Sequence, residues 1–181
     1  MKKIYFARGI LTFLAIGWMF LIFGFSNQEG DDSSSLSGEV SYRIVKTVAD
    51  LRGEKVSEKQ LWLRAEKIEY PVRKLAHMTE YAIMAMLWFF ALLSFGVKNK
   101  IRFIIPVLIA FLYACTDEIH QLFIADRSGK FTDVLVDTSG AILMMLLIFI
   151  IEAAIRRRRQ KQTIIQGFLS LLLMPRILYL P

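Results

Sequence analysis

Apolar residues in this chain gather into four long runs separated by charged segments. The first is Ile4 to Phe25, broken only by Arg8, which is near enough to the end to snorkel. The second runs from about Leu75 to Val97. The third runs from about Phe103 to Ile124, with Asp117, Glu118 and His120 in its last part. The fourth runs from about Val134 to Ile155, with Asp137 near its start and Glu152 near its end. A helix needs about 20 mostly apolar residues to cross a bilayer, and each run is long enough or nearly so. None alternates as a strand would, and helices satisfy their own backbone in lipid. The pattern predicts an all-α membrane protein: a four-helix transmembrane bundle over residues 4–155, with helices at about 4–25, 75–97, 103–124 and 134–155.

The segment 26–70 is too long for a simple connection and should carry its own structure. Gly30 to Ser35 reads as a turn ending in an N-cap serine. Leu36, Val40, Ile44, Val48 and Leu51 then recur every three or four residues as one apolar stripe, and Gly53 stops the helix. Ser57-Glu58-Lys59-Gln60 has the capping-box form and opens a second helix, about Glu58 to Glu69, with Leu61, Ala65 and Ile68 on one side. Pro71 suits the first turn of the next membrane helix. The plain reading is that both outer helices lie on the membrane surface or cap the bundle. The functional reading is a lid or a partner-binding face. After the fourth run, residues 156–181 form a basic stop-transfer segment and an apolar tail. Ile164 to Met174 is too short to span, so an interfacial C-terminal helix is expected.

Composition changes this picture little. Of 181 residues, 55% are hydrophobic and 22% charged, which a soluble domain could not segregate in this way. The single cysteine, Cys115, excludes an intramolecular disulfide and a cysteine zinc cluster. No small-x-small cleavage site follows Phe25, so the first run reads as an uncleaved anchor rather than a signal peptide. The net charge of +7 has a position. Lys2, Lys3 and Arg8, then Lys98, Lys100 and Arg102, then Arg156 to Arg159 and Lys161 all fall on one side of the bundle. That side is expected to be cytoplasmic, with both termini inside and segments 26–74 and 121–132 outside, in a bacterial cytoplasmic membrane. The basic surplus is thereby assigned to anionic lipid and not to nucleic acid.

The unusual polar residues collect where the second, third and fourth runs meet the outer interface. Arg73, Lys74, His77, Glu80 and Tyr81 open the second run, and Arg73, His77 and Glu80 share one helical face. Asp117, Glu118, His120 and Gln121 close the third. Asp126, Arg127 and Lys130 lie in the link, and Asp133 and Asp137 open the fourth one turn apart. Ionisable groups at membrane depth cost several kcal/mol unless paired or hydrated, about 2.5–3.5 each at a helix centre. A salt-bridged clasp locking helix ends together is the plain reading, and an outward polar pocket the functional one.

Three chemistries fit such a pocket. His77 with Glu80, and Asp117 with Glu118, could do general acid–base work as catalytic candidates. The same carboxylates and histidine could hold a divalent cation, although the spacing is no zinc motif. Arg73 and Arg127 could clamp a phosphorylated or charged lipid headgroup. Lys74, Tyr81, Gln121, Asp133 and Asp137 complete the ligand-binding set. No glycine-rich phosphate loop is present, and no cofactor or resident metal is implied. Gly9, Gly17 and Gly24 suggest close packing on one side of the first helix, and Ser139-Gly140-Ala141 does so in the fourth.

The stretch Arg73-Lys74-Leu75-Ala76-His77-Met78-Thr79-Glu80-Tyr81 resembles the R-K-x-x-H-x-x-E-Y block of the VanZ-like family. Asp117-Glu118-Ile119-His120-Gln121-Leu122-Phe123, then Arg127, then Asp133 to Gly140, is similar to that family's second block. Ser26-Asn27-Gln28 with Ser33 to Ser35 is like the exit from its first helix. One departure is Ala125-Asp126, where proline or glycine would be expected before the arginine. The resemblance, over about Ile10 to Ile151, implies a small multi-pass bacterial membrane protein. The family's namesake lowers susceptibility to teicoplanin, a lipid-tailed glycopeptide that binds cell-wall precursors. The expectation is a cell-envelope protein whose partners are membrane lipids, with a lipopeptide or cell-wall precursor as a further ligand class. A membrane hydrolase or transferase on a lipid-linked substrate, and a purely structural clasp, remain as alternatives.

Overall fold

The computed structural model describes residues 2–28, 30–98, 100–125 and 127–172. They form five helices: α1 (Lys2–Ser26), α2 (Gly30–Leu51), α3 (Glu58–Ser94), α4 (Ile101–Gln121) and α5 (Phe131–Leu172). No strand occurs among them. Four helices, α1, α3, α4 and α5, are long and apolar enough to cross a membrane. Their outer faces agree with that: Phe13 and Phe20 of α1 are 75% and 72% exposed, an untenable cost in water for a whole helix face. The chain is a multi-pass membrane protein.

By chain contacts it divides into two units, residues 1–145 and 146–181. The first is cored by small side chains that let helices approach closely: Ala15, Ala85, Ala91, Ala110, Ala114 and Ala141 are fully buried or nearly so. Ile22, Tyr81, Met84 and Phe89 fill the remaining space. Three side chains fasten helices by bonding backbone carbonyls. Trp18 Nε1 donates to Glu80 O at 2.9 Å, Tyr113 Oη to Met19 O at 2.6 Å, and Arg8 Nε to Ser94 O at 3.0 Å. Arg8 therefore does more than snorkel. It satisfies an orphan carbonyl at the end of α3, with its guanidinium over Phe95. The second unit holds the rest of α5, where Leu146, Phe149 and Ile150 are exposed and Arg156 bonds Glu152 at 3.0 Å.

Several boundaries differ from the sequence expectation. The outer helix and the second membrane helix are one element: α3 runs from Glu58 to Ser94 with Pro71 inside it. Proline removes one helical bond there, a cost of about 3 kcal/mol in a helix interior. The ion pair Arg73–Glu69, at 2.5 Å, spans the same turn. The Ser57–Gln60 capping box forms as expected. Helix α2 starts at Gly30, not after Ser35, so the serines lie within it. The C-terminal helix is a continuation of α5 to Leu172 rather than a separate element, since Arg, Gln and Lys sustain a helix. Residues 173–181, with Pro175 and Arg176, lie outside the described residues.

Helix α2 packs on the first part of α3 through Ser37, Ser41 and Ala49, and Tyr42 stacks on Trp62 at 4.5 Å. The apolar stripe of Leu36, Val40, Ile44, Val48 and Leu51 lies off the α3 contact and is exposed, Leu51 at 82%. The glycines divide as well. A side chain at Gly9, Gly17 or Gly24 would meet nothing, so these do not mark close packing. One at Gly140 would strike the backbone of Met78, so α3 and α5 touch there as Ser139-Gly140-Ala141 suggested.

The α2–α3 turn is closed by Glu54, which accepts a 2.6 Å hydrogen bond from Arg64. That bond holds the Glu54 pKa below its usual value of 4.5. The folded state then binds the proton less readily than the unfolded one. The pair's small contribution is complete above that value and fades as pH falls through the folded pKa. In Arg64→Gln the Glu54 carboxyl midpoint should move upward, read by NMR titration.

Candidate functional site

The polar cluster surrounds a cavity of about 240 Å³ in the first unit. Helix α3 supplies Tyr70, Arg73, Lys74 and His77 from two successive turns, and α2 adds Ser34. The end of α4 supplies Glu118 and Gln121, and α5 supplies Asp133 and Asp137, one turn apart. Arg127, Ser128 and Lys130 come from the link between α4 and α5.

That link folds back tightly over α4. A side chain at Gly129 would run into the Glu118 carbonyl and the Leu122 side chain. Only glycine fits there, and the turn lets Lys130 N donate to Glu118 Oε2 at 2.6 Å. The close approach to α4 is thus made at Gly129. Asp126 lies outside the described residues. Arg127 is fixed by Nε donating to Gln28 O at 3.1 Å, at the exit from α1.

The charges of the cavity are unequally engaged. Arg73 is engaged along one edge: its Nη2 bonds Glu69, Ser34 Oγ at 2.8 Å and Ser37 Oγ at 3.1 Å, and its Nη1 has no hydrogen bond among the described residues. It pins α2 to α3 and also lines the cavity. Lys74 Nζ pairs with Asp133 at 2.6 Å. Arg127 and Lys130 have no ion pair among the described residues. Burial, then the nearby Arg73 guanidinium, lower the Arg127 pKa, though arginine stays protonated. Asp137 is 2% exposed and has no hydrogen bond or ion pair among the described residues. It faces the cavity as a buried, unpartnered carboxylate.

Not every candidate reaches the cavity. Glu80 lies two turns below Arg73, where its carbonyl accepts from Trp18, and its Oε2 is 3.8 Å from His77 Nδ1, too far for a hydrogen bond. Tyr81 is fully buried, 6.2 Å from the Tyr113 ring, with its hydroxyl unpartnered. Asp117 is buried on the α1 side of α4, where it and Ser26 share the Gln121 amide, each at 3.2 Å. His120 sits against Phe23 and Asn27 rather than in the cavity. Tyr70 lines it although no motif points to it, and so does Ser34, from the Ser33 to Ser35 stretch of the family resemblance. The serine run offers the one signal, since Ser34 and Ser37 share a helical face. Among the described residues no three His, Cys, Asp or Glu side chains form a metal-holding group.

The model of one known family, VanZ/LLP1, matches residues 11–152. The chain belongs to the VanZ/LLP1 family. The match covers α1 from Leu11, then α2 to α4, and α5 as far as Glu152, and so every residue of the cavity. VanZ membership carries an association with teicoplanin resistance. No curated protein and no solved structure matches the chain.

Proposed function

We propose that this VanZ-family chain is a cell-envelope protein of the bacterial cytoplasmic membrane. Its cavity opens outward and holds the small polar headgroup of an amphiphile near the leaflet surface. Both termini are inside, as the lysine and arginine distribution favours. Teicoplanin susceptibility falls as a consequence, through the envelope molecule bound. The carrying observation is Asp137, a buried carboxylate that faces a cavity also lined by Arg127, neither with an ion pair among the described residues. An apolar clasp would stabilise the helix ends at least as well as buried charges do. Size points the same way. The volume of 240 Å³ lies below the roughly 300–1,000 Å³ usual for drug-sized ligands, so it suits a headgroup and not the antibiotic itself.

The test is complementation of a Gram-positive deletion strain with wild type, Arg127→Ala and Asp137→Asn, with membrane levels matched. Wild type should raise the teicoplanin inhibitory concentration at least about fourfold, and both variants should return it to the deletion level. Normal tolerance in both variants would refute the reading. His77 and Glu118 both line the cavity, which favours acid–base chemistry on a lipid-linked substrate as the second reading. There Glu118→Gln would abolish turnover while leaving lipid binding intact.

A further inference from the structure

We propose that the cavity recognises a headgroup carrying both charges, an anionic phosphate and a primary ammonium, rather than a simple anion. This rests on the headgroup reading above and names its ligand class.

The argument is a balance of engaged and free charge. Arg73 is taken up by Glu69 and Lys74 by Asp133. Among the described residues, the cations Arg127 and Lys130 and the carboxylates Glu118 and Asp137 face the cavity without an ion pair. Glu118 receives one backbone N–H, and Asp137 receives nothing among the described residues. A purely anionic ligand would satisfy Arg127 and leave Asp137 buried beside added negative charge. A purely cationic one would do the reverse. Only a ligand with both charges neutralises both ends.

Depth sets the order of those ends. Asp137 lies one helical turn beyond Asp133 on α5 and is 2% exposed, whereas the Asp133 side chain is 23% exposed. Arg127 and Lys130 sit on the link, and Lys130 is exposed. An ammonium therefore belongs at the inner end and a phosphate at the mouth. In an aminoalkyl phosphate ester of a lipid the amine is the terminal group and the phosphate carries the acyl chains. Such a headgroup enters amine first and leaves its chains outside. A primary ammonium has three N–H donors for Asp137 and Glu118, and a trimethylated one has none.

Full-length protein in neutral detergent would be titrated with short-chain phosphatidylethanolamine, phosphatidylglycerol and phosphatidylcholine, and with free phosphoethanolamine, following binding by native mass spectrometry. Phosphatidylethanolamine should bind at least about tenfold more tightly than the other two lipids. Asp137→Asn should erase that preference, while Arg127→Ala weakens phosphatidylethanolamine and phosphatidylglycerol together. Equal binding of these two lipids by wild type, or a preference that survives Asp137→Asn, would overturn the proposal and leave headgroup binding standing. Binding of none of the probes would overturn both. Free phosphoethanolamine matching the lipid would uphold the two-charge recognition and refute a lipid source. If Asp137→Asn does not fold, Glu118→Gln and the wild-type selectivity decide.

Discussion

Replacing Gly140 with alanine should sharply lower the amount of folded protein. The added methyl group has nowhere to go, because it meets the carbonyl, carbonyl carbon and Cα of Met78. Those are backbone atoms inside α3 and cannot rotate away as a side-chain tip could. The two helices must separate, and the packing of buried Ala141 and Met84 is disturbed with them. Overpacking of this kind costs about 1–3 kcal/mol, and a valine should cost more. The cost is large against a total stability of roughly 5–15 kcal/mol. Gly17→Ala is the internal control. Nothing lies within reach of a side chain there, and alanine favours a helix by up to about 1 kcal/mol over glycine. Thermal unfolding in detergent, with membrane levels by blot, should show a lowered midpoint for Gly140→Ala and an equal or raised one for Gly17→Ala. Equal midpoints for wild type and Gly140→Ala would mean that α3 and α5 do not touch at that position.

Arg73→Ala should loosen α2 from α3. One guanidinium joins Glu69, Ser34 and Ser37, and its removal leaves the Glu69 carboxylate only 25% exposed with its partner gone. A fully buried pair broken on one side costs about 3–5 kcal/mol, and partial solvent access here reduces that to about 1–3. Backbone hydrogen exchange should accelerate across residues 34–49 and 58–70 while α4 stays protected. The double variant Glu69→Ala/Arg73→Ala should recover part of the loss, since no orphaned carboxylate remains. Arg73→Lys should be intermediate, because an ammonium cannot serve three acceptors with a planar fork. Unchanged exchange in Arg73→Ala would return Arg73 to the ligand-holding role that its motif suggests.

The membrane helices were legible because long apolar runs leave little choice of structure. The limits of α3 were not, since a proline after a capped outer helix reads equally as a new first turn or an interior kink. The face of α2 that meets α3 was hidden for a chemical reason. Ser41 Oγ donates to Ser37 O at 2.8 Å within the helix, while Ser37 Oγ meets Arg73 at 3.1 Å and Glu69 at 3.0 Å on α3. These small side chains then pack where leucine and isoleucine would be expected. In the site, the Arg73 and His77 face was readable from helical spacing. Depth was not: Glu80 lies about 10 Å further along the axis than Arg73 and falls short of the cavity. Ser34 beside Arg73, 39 residues apart, is a tertiary contact with no local signal.

Because α3 passes unbroken through Pro71, the stretch that carries α2 and the stretch that walls the cavity belong to one rod. Helical hydrogen bonds continue on both sides of the one that Pro71 removes, so a tilt of the outer stretch is carried to the turn that bears His77. By reciprocity, if a partner on the exposed leucine and valine edge of α2 changed the affinity of the cavity for a ligand, that ligand would change the partner's affinity by the same factor.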